Sequence, residues 1–211
     1  TSFEKIKQEI KNSSEKNSTE IIAVSKTFPI EHIVPLIEHG HCHFGENKVQ
    51  EAEKKWQGFK NSKSNLKLHM IGRLQSNKAK KAVEIFDYIH SLDSEKLAKE
   101  LSKRQKEKGK NLKYFIQVNL GSEVQKGGVE INDLDALYVH CVKKLNLSIL
   151  GLMAIPPNDD KPEKYFKIIY ELNKKYNFSQ LSIGMSNDYL SAIKHGASFV
   201  RIGSAIFGSR S

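Results

Sequence analysis

Two consecutive segments decide the fold: Leu181-Ser182-Ile183-Gly184-Met185-Ser186-Asn187-Asp188 and Phe199-Val200-Arg201-Ile202-Gly203-Ser204-Ala205-Ile206-Phe207-Gly208. In each segment an apolar, strand-like run ends at a glycine, and a serine follows where a helix would begin. One such turn is typical of any strand-to-helix connection with a capping serine. Two in succession indicate consecutive βα units, and in a parallel barrel the loops after strands seven and eight often bind phosphate.

The rest of the chain also alternates between strand-like and helix-like segments. Eight strands are predicted, at Glu20–Ser25, His41–Gly45, Leu66–Ile71, Phe86–Ser91, Leu112–Asn119, Ser148–Met153, Gln180–Ile183 and Phe199–Ile202. The predicted helices are Phe3–Asn12, Ile30–Glu38, Asn47–Trp56, Ser76–Val83, Ser94–Glu107, Asn132–Lys144, Glu163–Lys175 and Asn187–His195. Ser94 and Asn132 are expected to cap their helices, and Gly40 and Gly196 to end the helices before them.

This alternation predicts an α/β fold, a single (β/α)8 barrel of the TIM type over residues 1–211, with one extra helix at the N-terminus. The alternative is a doubly wound open sheet. Such a sheet usually carries a GxGxxG phosphate loop after its first strand, and the sequence has no such motif.

The composition narrows the class of protein. Hydrophobic residues make up 38% of the 211 residues, which is typical of a globular chain, and there is no apolar run near the length of a membrane span. The segment from Thr1 to Ser18 is polar and does not resemble a secretory signal. Cys42 and Cys141 lie far apart, as expected of free thiols in a reducing compartment. We therefore expect a cytoplasmic protein that does not bind membranes.

The formal net charge of +10 raises nucleic acid as a partner. Most of the basic residues are lysines mixed with glutamates on helix-like stretches, such as Lys96 to Lys113. An RNA-binding surface more often interleaves arginines with aromatic residues. The pattern favours a solvated lysine-rich surface, and we expect no nucleic acid partner.

Lys26 stands at the end of the first predicted strand, Ile21-Ile22-Ala23-Val24-Ser25. A lysine at the mouth of a buried strand loses hydration, which lowers its pKa, and a neutral amine can form a Schiff base with an aldehyde. The alternative is an ordinary lysine whose head extends into water.

Polar groups cluster at the other predicted strand ends as well. Reading these ends in order gives Lys26, Glu46-Asn47, Gly72-Arg73, Asp93, Asn119, Met153-Ala154, Ser186 and Arg201 with Gly203-Ser204. In a barrel all of these ends meet at one face. An amine, a guanidinium, amides and two phosphate-type turns fit a phosphorylated aldehyde, and pyridoxal 5′-phosphate (PLP) is the cofactor with that chemistry.

Other motifs carry weaker signals. His41-Cys42-His43 lacks a partner pair at zinc-like spacing, so no metal site is expected. His69 is expected to pack or hydrogen-bond near the site. Glu46 and Asp93 could form a carboxylate pair at neighbouring strand ends. Trp56 is expected in the core or an interface, and no G-x-S-x-G, Walker A or HExxH motif is present.

Six blocks of the chain, taken in order, resemble the pyridoxal phosphate homeostasis protein family (YggS/PROSC type). They are Ala23 to Thr27, His43 to Asn47 with Val49-Gln50-Glu51, His69 to Gly72 with Leu74 to Lys78, Gly151-Leu152-Met153, Ser182 to Asp188 and Val200 to Gly208. The resemblance implies a fold-type III barrel like the N-terminal domain of alanine racemase, with PLP held as an aldimine on Lys26. It implies phosphate contacts from Ser186, Gly203 and Ser204, Arg201 near the ring or phosphate, and Asn47 and Met185 in the pocket wall.

The resemblance also implies a function without catalytic turnover: the protein holds PLP and buffers or delivers it to PLP-dependent apoenzymes, as a monomer or weak homodimer. The alternative is a PLP-dependent amino-acid racemase. Racemisation needs a second base opposite Lys26, and alanine racemase takes that base from a C-terminal β-domain; because the sequence stops at Ser211, we expect that domain to be absent. Lys48 and Arg73 depart from the family pattern and add positive charge near the expected mouth.

Overall fold

The computed structural model describes residues 2–14, 18–62, 65–121, 123 and 126–209, so both ends of the predicted domain, Thr1 and Ser211, lie outside the described residues. Eight strands, each parallel to its neighbours, close into a barrel in which the last strand pairs with the first. They are β1 Glu20–Val24, β2 His43–Glu46, β3 Lys67–Met70, β4 Tyr88–Leu92, β5 Lys113–Asn119, β7 Ser148–Met153, β8 Gln180–Ser182 and β9 Phe199–Ile202. A two-residue strand, β6 (Val129–Glu130), adds to β5. The predicted (β/α)8 barrel is confirmed.

Helices pack around the strands. They are α1 Ser2–Ser13, α2 Ile30–Glu38, α3 Val49–Trp56, α4 Phe59–Ser62, α5 Ala79–Ile85, α6 Glu95–Glu107, α7 Ile131–Tyr138, α8 Pro162–Lys175, α9 Tyr189–Lys194 and α10 Ser204–Phe207. The extra helix α1 buries Phe3, Ile6 and Ile10 and packs against α9 and α10. In the described parts of the chain, no helix combines the length and the apolar character that a membrane crossing requires.

Most differences from the sequence-based prediction lie at element ends. β2 begins at His43, two residues after the predicted start at His41. Ser94 caps α6 as expected, accepting from the Leu97 N–H at 3.2 Å. The cap predicted at Asn132 is wrong, because the helix already begins at Ile131, after Glu130 in extended conformation.

Two further features concern how helices end or continue. Gly40 and Gly196 end their helices in the left-handed region, with φ of 95° and 88°, as predicted. The segment Val139–Lys144 continues α7 as a π-helix, a local variation that hydrophobic periodicity does not reveal.

The inside of the barrel differs in character from the layer between strands and helices. That outer layer is a large apolar core, in which Trp56 is 2% exposed, so its expected place in the core is confirmed. The inside holds only a small apolar cluster of Ile22, Phe115, Met153 and Phe199. Buried polar side chains stand beside this cluster: His69, His90, Ser182 and Arg201. Burying polar side chains costs free energy unless they are hydrogen-bonded. A barrel interior that keeps four of them is therefore typical of a binding or catalytic site.

The buried histidines predict how stability depends on pH. Burial lowers the pKa of His69 and of His90 well below the usual 6.5. Below about pH 6.5 the unfolded chain therefore binds protons that the folded protein excludes, and stability falls as pH falls. We expect a slope of up to about 1.4 kcal/mol per pH unit for each histidine in urea unfolding between pH 7 and 5. His90→Gln should reduce the pH dependence of the unfolding free energy, whereas His32→Gln, at an exposed position, should leave it unchanged. Equal slopes in the two variants would contradict the prediction.

Candidate functional site

A large cavity of about 1410 Å³ opens at the carboxyl ends of the barrel strands. All of the binding residues predicted from the sequence line it: Lys26, Asn47, Met185, Ser186, Arg201, Gly203 and Ser204. A smaller cavity of about 290 Å³, beside Lys67 and Lys113 at the opposite end of the barrel, holds none of them. The larger cavity is therefore the candidate site.

Lys26 stands at the start of a strained turn after β1. The next residue, Thr27, has φ of 68°, a left-handed conformation that is unfavourable for a β-branched residue. Its N–H donates to Glu51 Oε1 of α3 at 2.5 Å. The turn is thus held from outside the cavity, and this constraint fixes where the chain directs Lys26.

A buried lysine on α3 completes this attachment. Lys55, with a side chain 7% exposed, donates to the Ser25 carbonyl at 2.6 Å, to Glu46 Oε1 at 2.8 Å and to Glu51 Oε1 at 3.0 Å. Burial acts to raise the pKa of Glu51, but the bonds from Lys55 and the Thr27 amide outweigh it and leave that pKa lowered. We call Glu46, Glu51 and Lys55 the lysine clamp.

The clamp shows that one sequence-based hypothesis is wrong. Glu46 does not pair with Asp93: it bonds to Lys55 and Trp56 of α3, while Asp93 Oδ2 accepts from the Gly128 N–H at 3.1 Å. Burial raises the pKa of Glu46, against its hydrogen bonds to Lys55, Trp56 and Ser25. Adjacent residues of a strand point to opposite faces, so Glu46 faces α3 although its neighbours face the barrel interior.

The two glycine–serine turns meet as predicted. Ser186 Oγ accepts from the N–H of Gly203 at 3.3 Å and from that of Ala205 at 3.5 Å, which joins the loop after β8 to the loop after β9. Ser204 is exposed in the same cavity. Because α10 has only four residues, its macrodipole is small, and the N–H and hydroxyl donors are what could hold an anion here.

Arg201 lies at the bottom of the cavity, 3% exposed. It donates from one terminal nitrogen to Ser182 Oγ at 2.7 Å and from the other to the Ala154 carbonyl at 3.0 Å. Burial lowers its pKa to about 10, so it stays charged at neutral pH. Within the described residues no carboxylate lies at ion-pair distance from it. A buried, unpaired cation favours a ligand that brings negative charge or a hydrogen-bond acceptor.

Asn47 and Gly72 bring two strand ends into contact. A Cβ on Gly72 would lie 2.4 Å from the Asn47 carbonyl oxygen, so only glycine allows this approach. Arg73, beside them, reaches the rim of the cavity, whereas Lys48 is exposed just before α3 and does not line it. Of the two departures from the family pattern, only Arg73 adds charge to the mouth.

The sequence-based analysis missed several residues that build the site. Ser182 and Ala154 hold Arg201, Lys55 holds the Lys26 turn, and Gln117 and Lys126 line the cavity. Gln117 and Lys126 carried no signal in the sequence. Ser182 had one, because it stands between the apolar residues Leu181 and Ile183 of the outer core and therefore takes the opposite face of the strand, toward the barrel interior.

Comparison with known proteins assigns the family. The sequence profile described as the alanine racemase N-terminal domain matches residues 3–211. A pyridoxal phosphate homeostasis protein of Aquifex aeolicus is 40% identical over 204 residues, which cover 92% of this chain and 89% of that protein. The Escherichia coli protein of the same name is 36% identical over 199 residues, covering 90% and 85%. The chain belongs to the pyridoxal phosphate homeostasis protein family.

Solved structures agree with this family. PipY of Synechococcus elongatus with PLP bound has a TM-score of 0.87 and 34% identity, covering 99% of this chain and 100% of that one. PipY without PLP has a TM-score of 0.86 and 33% identity, with 98% of each chain covered. Alanine racemase from Clostridium difficile, at 15% identity and a TM-score of 0.71, shares the fold over 96% of this chain and 55% of that one. The barrel is thus of the alanine racemase type.

The lysine clamp generates a stability prediction. Replacing Lys55 by Met leaves the Glu46 carboxylate buried without its cation, and breaking a buried ion pair costs about 3–5 kcal/mol. Urea unfolding of Lys55→Met should show a loss of this size. Lys54→Met, which removes the same charge from an exposed neighbour on α3, is the matched control and should change stability by under about 0.5 kcal/mol. Equal losses in the two variants would show that the clamp does not stabilise the fold.

Proposed function

We propose that this protein binds PLP in the large cavity, with the Lys26 amine joined to the PLP aldehyde carbon as a Schiff base. The observation that carries the proposal is the convergence in one cavity of Lys26, the unpaired buried Arg201 and the two serine turns. PipY, which has PLP bound in one of its solved structures, is 34% identical to this chain and supports it.

The donors present suit the parts of PLP. Ser186, Ser204 and the Gly203 N–H would hold the phosphate, whose oxygens accept from hydroxyl and amide donors. Arg201, two residues before Gly203 and deeper in the barrel, would face the ring. Met185, 43% exposed at the cavity, and Asn47 would cover the ring from the sides.

The covalent step is a reversible condensation. Lys26 would hold the aldehyde through the lone pair of its unprotonated amine, forming a C=N bond, and the carbonyl oxygen would leave as water with the two amine hydrogens. Water reverses the reaction and regenerates both the lysine and the aldehyde. A bond that forms and hydrolyses without consuming a co-reactant suits a protein that holds PLP, keeps free aldehyde low and releases it.

We propose a role in holding, buffering and delivering PLP in the cytoplasm, with PLP-dependent apoenzymes as recipients and no catalytic turnover. The relatives named pyridoxal phosphate homeostasis proteins support this role. The racemase alternative needs a second base facing Lys26. Tyr189 lines the cavity, but burial and its hydrogen bond to Glu9 raise its pKa to about 12, so its hydroxyl is a poor proton acceptor.

Borohydride trapping tests the Schiff base. Reduction of the PLP-loaded protein should fix a pyridoxyl group on Lys26, identified by peptide mapping, because reduction turns the C=N bond into a stable amine. Lys26→Ala should abolish the adduct. Lys126→Ala, which removes another lysine of the same cavity, should keep it. A pyridoxyl group mapped to any other lysine in the wild type would refute the assignment.

Comparison of PLP with phosphate-free pyridoxal tests the phosphate contacts. Ser204→Ala removes one hydrogen bond to a charged group, roughly 1.5–3 kcal/mol, or about 10- to 150-fold in PLP affinity. Gly203→Val should cost more, because even a Cβ at this position would lie 3.3 Å from Val24. Neither change should alter pyridoxal affinity as strongly. If wild-type protein binds PLP and pyridoxal equally well, the phosphate assignment is wrong.

A transfer experiment separates delivery from catalysis. Loaded protein is mixed with a PLP-dependent apoenzyme in the presence of a phosphatase that destroys free PLP. We expect recovered apoenzyme activity, because PLP is protected until it is transferred, and none when free PLP replaces the loaded protein. In parallel, L-alanine is incubated with loaded protein. Sustained formation of D-alanine that depends on Lys26 would favour the racemase instead.

A further inference from the structure

Four side chains from four strands form a continuous line of hydrogen bonds through the barrel interior. His43 Nδ1 lies 2.9 Å from His69 Nε2, His69 Nδ1 lies 2.8 Å from His90 Nε2, and His90 Nδ1 lies 2.8 Å from Ser182 Oγ. Ser182 Oγ is also the atom that accepts from Arg201. We call His43, His69, His90 and Ser182 the histidine relay.

The relay is enclosed by protein. His69, His90 and Ser182 are 0% exposed. Tyr88 stacks on the His69 ring at 4.2 Å, and Phe115 stacks on the His90 ring at 4.5 Å. The described residues contain no group of three His, Cys, Asp or Glu side chains placed to share a metal ion, so the relay is a line of hydrogen bonds and not a ligand set.

Arg201 fixes the direction of every bond in the line. A guanidinium only donates, so Ser182 Oγ accepts from it, and the serine has one hydrogen of its own to donate. Among the described residues, His90 Nδ1 is the acceptor placed to receive that hydrogen. His90 must then donate from Nε2 to His69, and His69 from Nε2 to His43. The reverse order would leave the buried Ser182 hydrogen without an acceptor, which is costly.

The neutral rings and the guanidinium at the end of the line exclude proton transfer as the role of the relay. Burial lowers the pKa of His69 and of His90, and the charge of Arg201 lowers that of His90 further, so both rings are neutral at neutral pH. A proton that moved along the line would have to pass through the guanidinium, which keeps its own proton. The relay therefore ends at Arg201 and can only orient it.

We infer that the histidine relay is a positioning device for Arg201. It directs the hydrogen of the Ser182 hydroxyl toward His90 and away from Arg201, so that a lone pair of the Ser182 oxygen accepts from one terminal nitrogen of the guanidinium. The Ala154 carbonyl accepts from the other terminal nitrogen. The remaining N–H groups of Arg201 face the cavity, and none of the described carboxylates lies at ion-pair distance to direct them. The inference rests on the proposed function, in which these N–H groups meet the PLP ring nitrogen.

The first test needs no cofactor. Nitrogen-15 NMR of the cofactor-free protein at pH 7.5 reports which ring nitrogen of each histidine carries the proton. We expect His43, His69 and His90 all to be neutral and protonated at Nε2. A proton on Nδ1, or on both nitrogens, of His69 or His90 would overturn the inference.

The second test breaks the relay without touching the cavity. His90→Phe leaves the Ser182 hydrogen without its acceptor, and His90→Asn keeps an oxygen that can stand near the lost Nδ1. We expect His90→Phe to weaken PLP binding roughly 3- to 10-fold, the loss of one neutral hydrogen bond, and to shift the nitrogen-15 resonance of the labelled PLP ring. His90→Asn should restore most of both. His41→Asn changes a neighbouring histidine that stands outside the relay and hydrogen-bonds the His43 carbonyl, and it should change neither.

The outcomes separate the two proposals. If the wild-type protein binds PLP, and the nitrogen-15 resonance of the bound PLP ring is the same in the wild type and in His90→Phe, the relay proposal is overturned and the proposed function stands. If the wild-type protein binds no PLP, the proposed function fails, and the relay proposal is then tested by measuring rotation of the Arg201 guanidinium in the cofactor-free protein. Faster rotation of the Arg201 guanidinium in His90→Phe than in wild type would then support the positioning role, and equal rotation would overturn it.

Discussion

The positive charge of Arg201, enclosed by the barrel and unpaired among the described side chains, is the constraint around which the interior is arranged. Burying a charge without compensation costs free energy, so the neutral polar groups that contact Arg201 must accept its hydrogen bonds. Ser182 and the Ala154 carbonyl do so directly. Behind Ser182 stand the imidazoles of His90 and His69. An imidazole has two ring nitrogens, one donating and one accepting, so it can fix the direction of the next hydrogen bond, which an aliphatic side chain cannot do.

Lys26, which follows the strand next to that of Arg201, is held in a different way. Lys26 is positioned by its backbone, since the strained turn at Thr27 is attached to α3 through Glu51 and Lys55. These contacts fix the backbone from which the Lys26 side chain extends.

The sequence predicted the architecture and the cavity residues well, because both follow from short-range patterns. Eight apolar runs ending in polar residues place Lys26, Ser186 and Arg201 on one face of any closed parallel barrel. The supporting contacts were out of reach, because they join residues distant in the chain: His90 meets Ser182 across 92 positions. The Glu46–Asp93 hypothesis failed for a related reason, since proximity of strand ends does not say which face of the sheet a side chain takes.

One consequence follows from the hydroxyl of Ser186. Its oxygen accepts from the amides of Gly203 and Ala205 at 3.3 and 3.5 Å. The two contacts join the loops after β8 and β9, so the donors proposed for a phosphate are already held together by the protein itself. Under the proposed function, this arrangement leaves exposed Arg73 at the cavity mouth as a charged group that a recipient protein would meet.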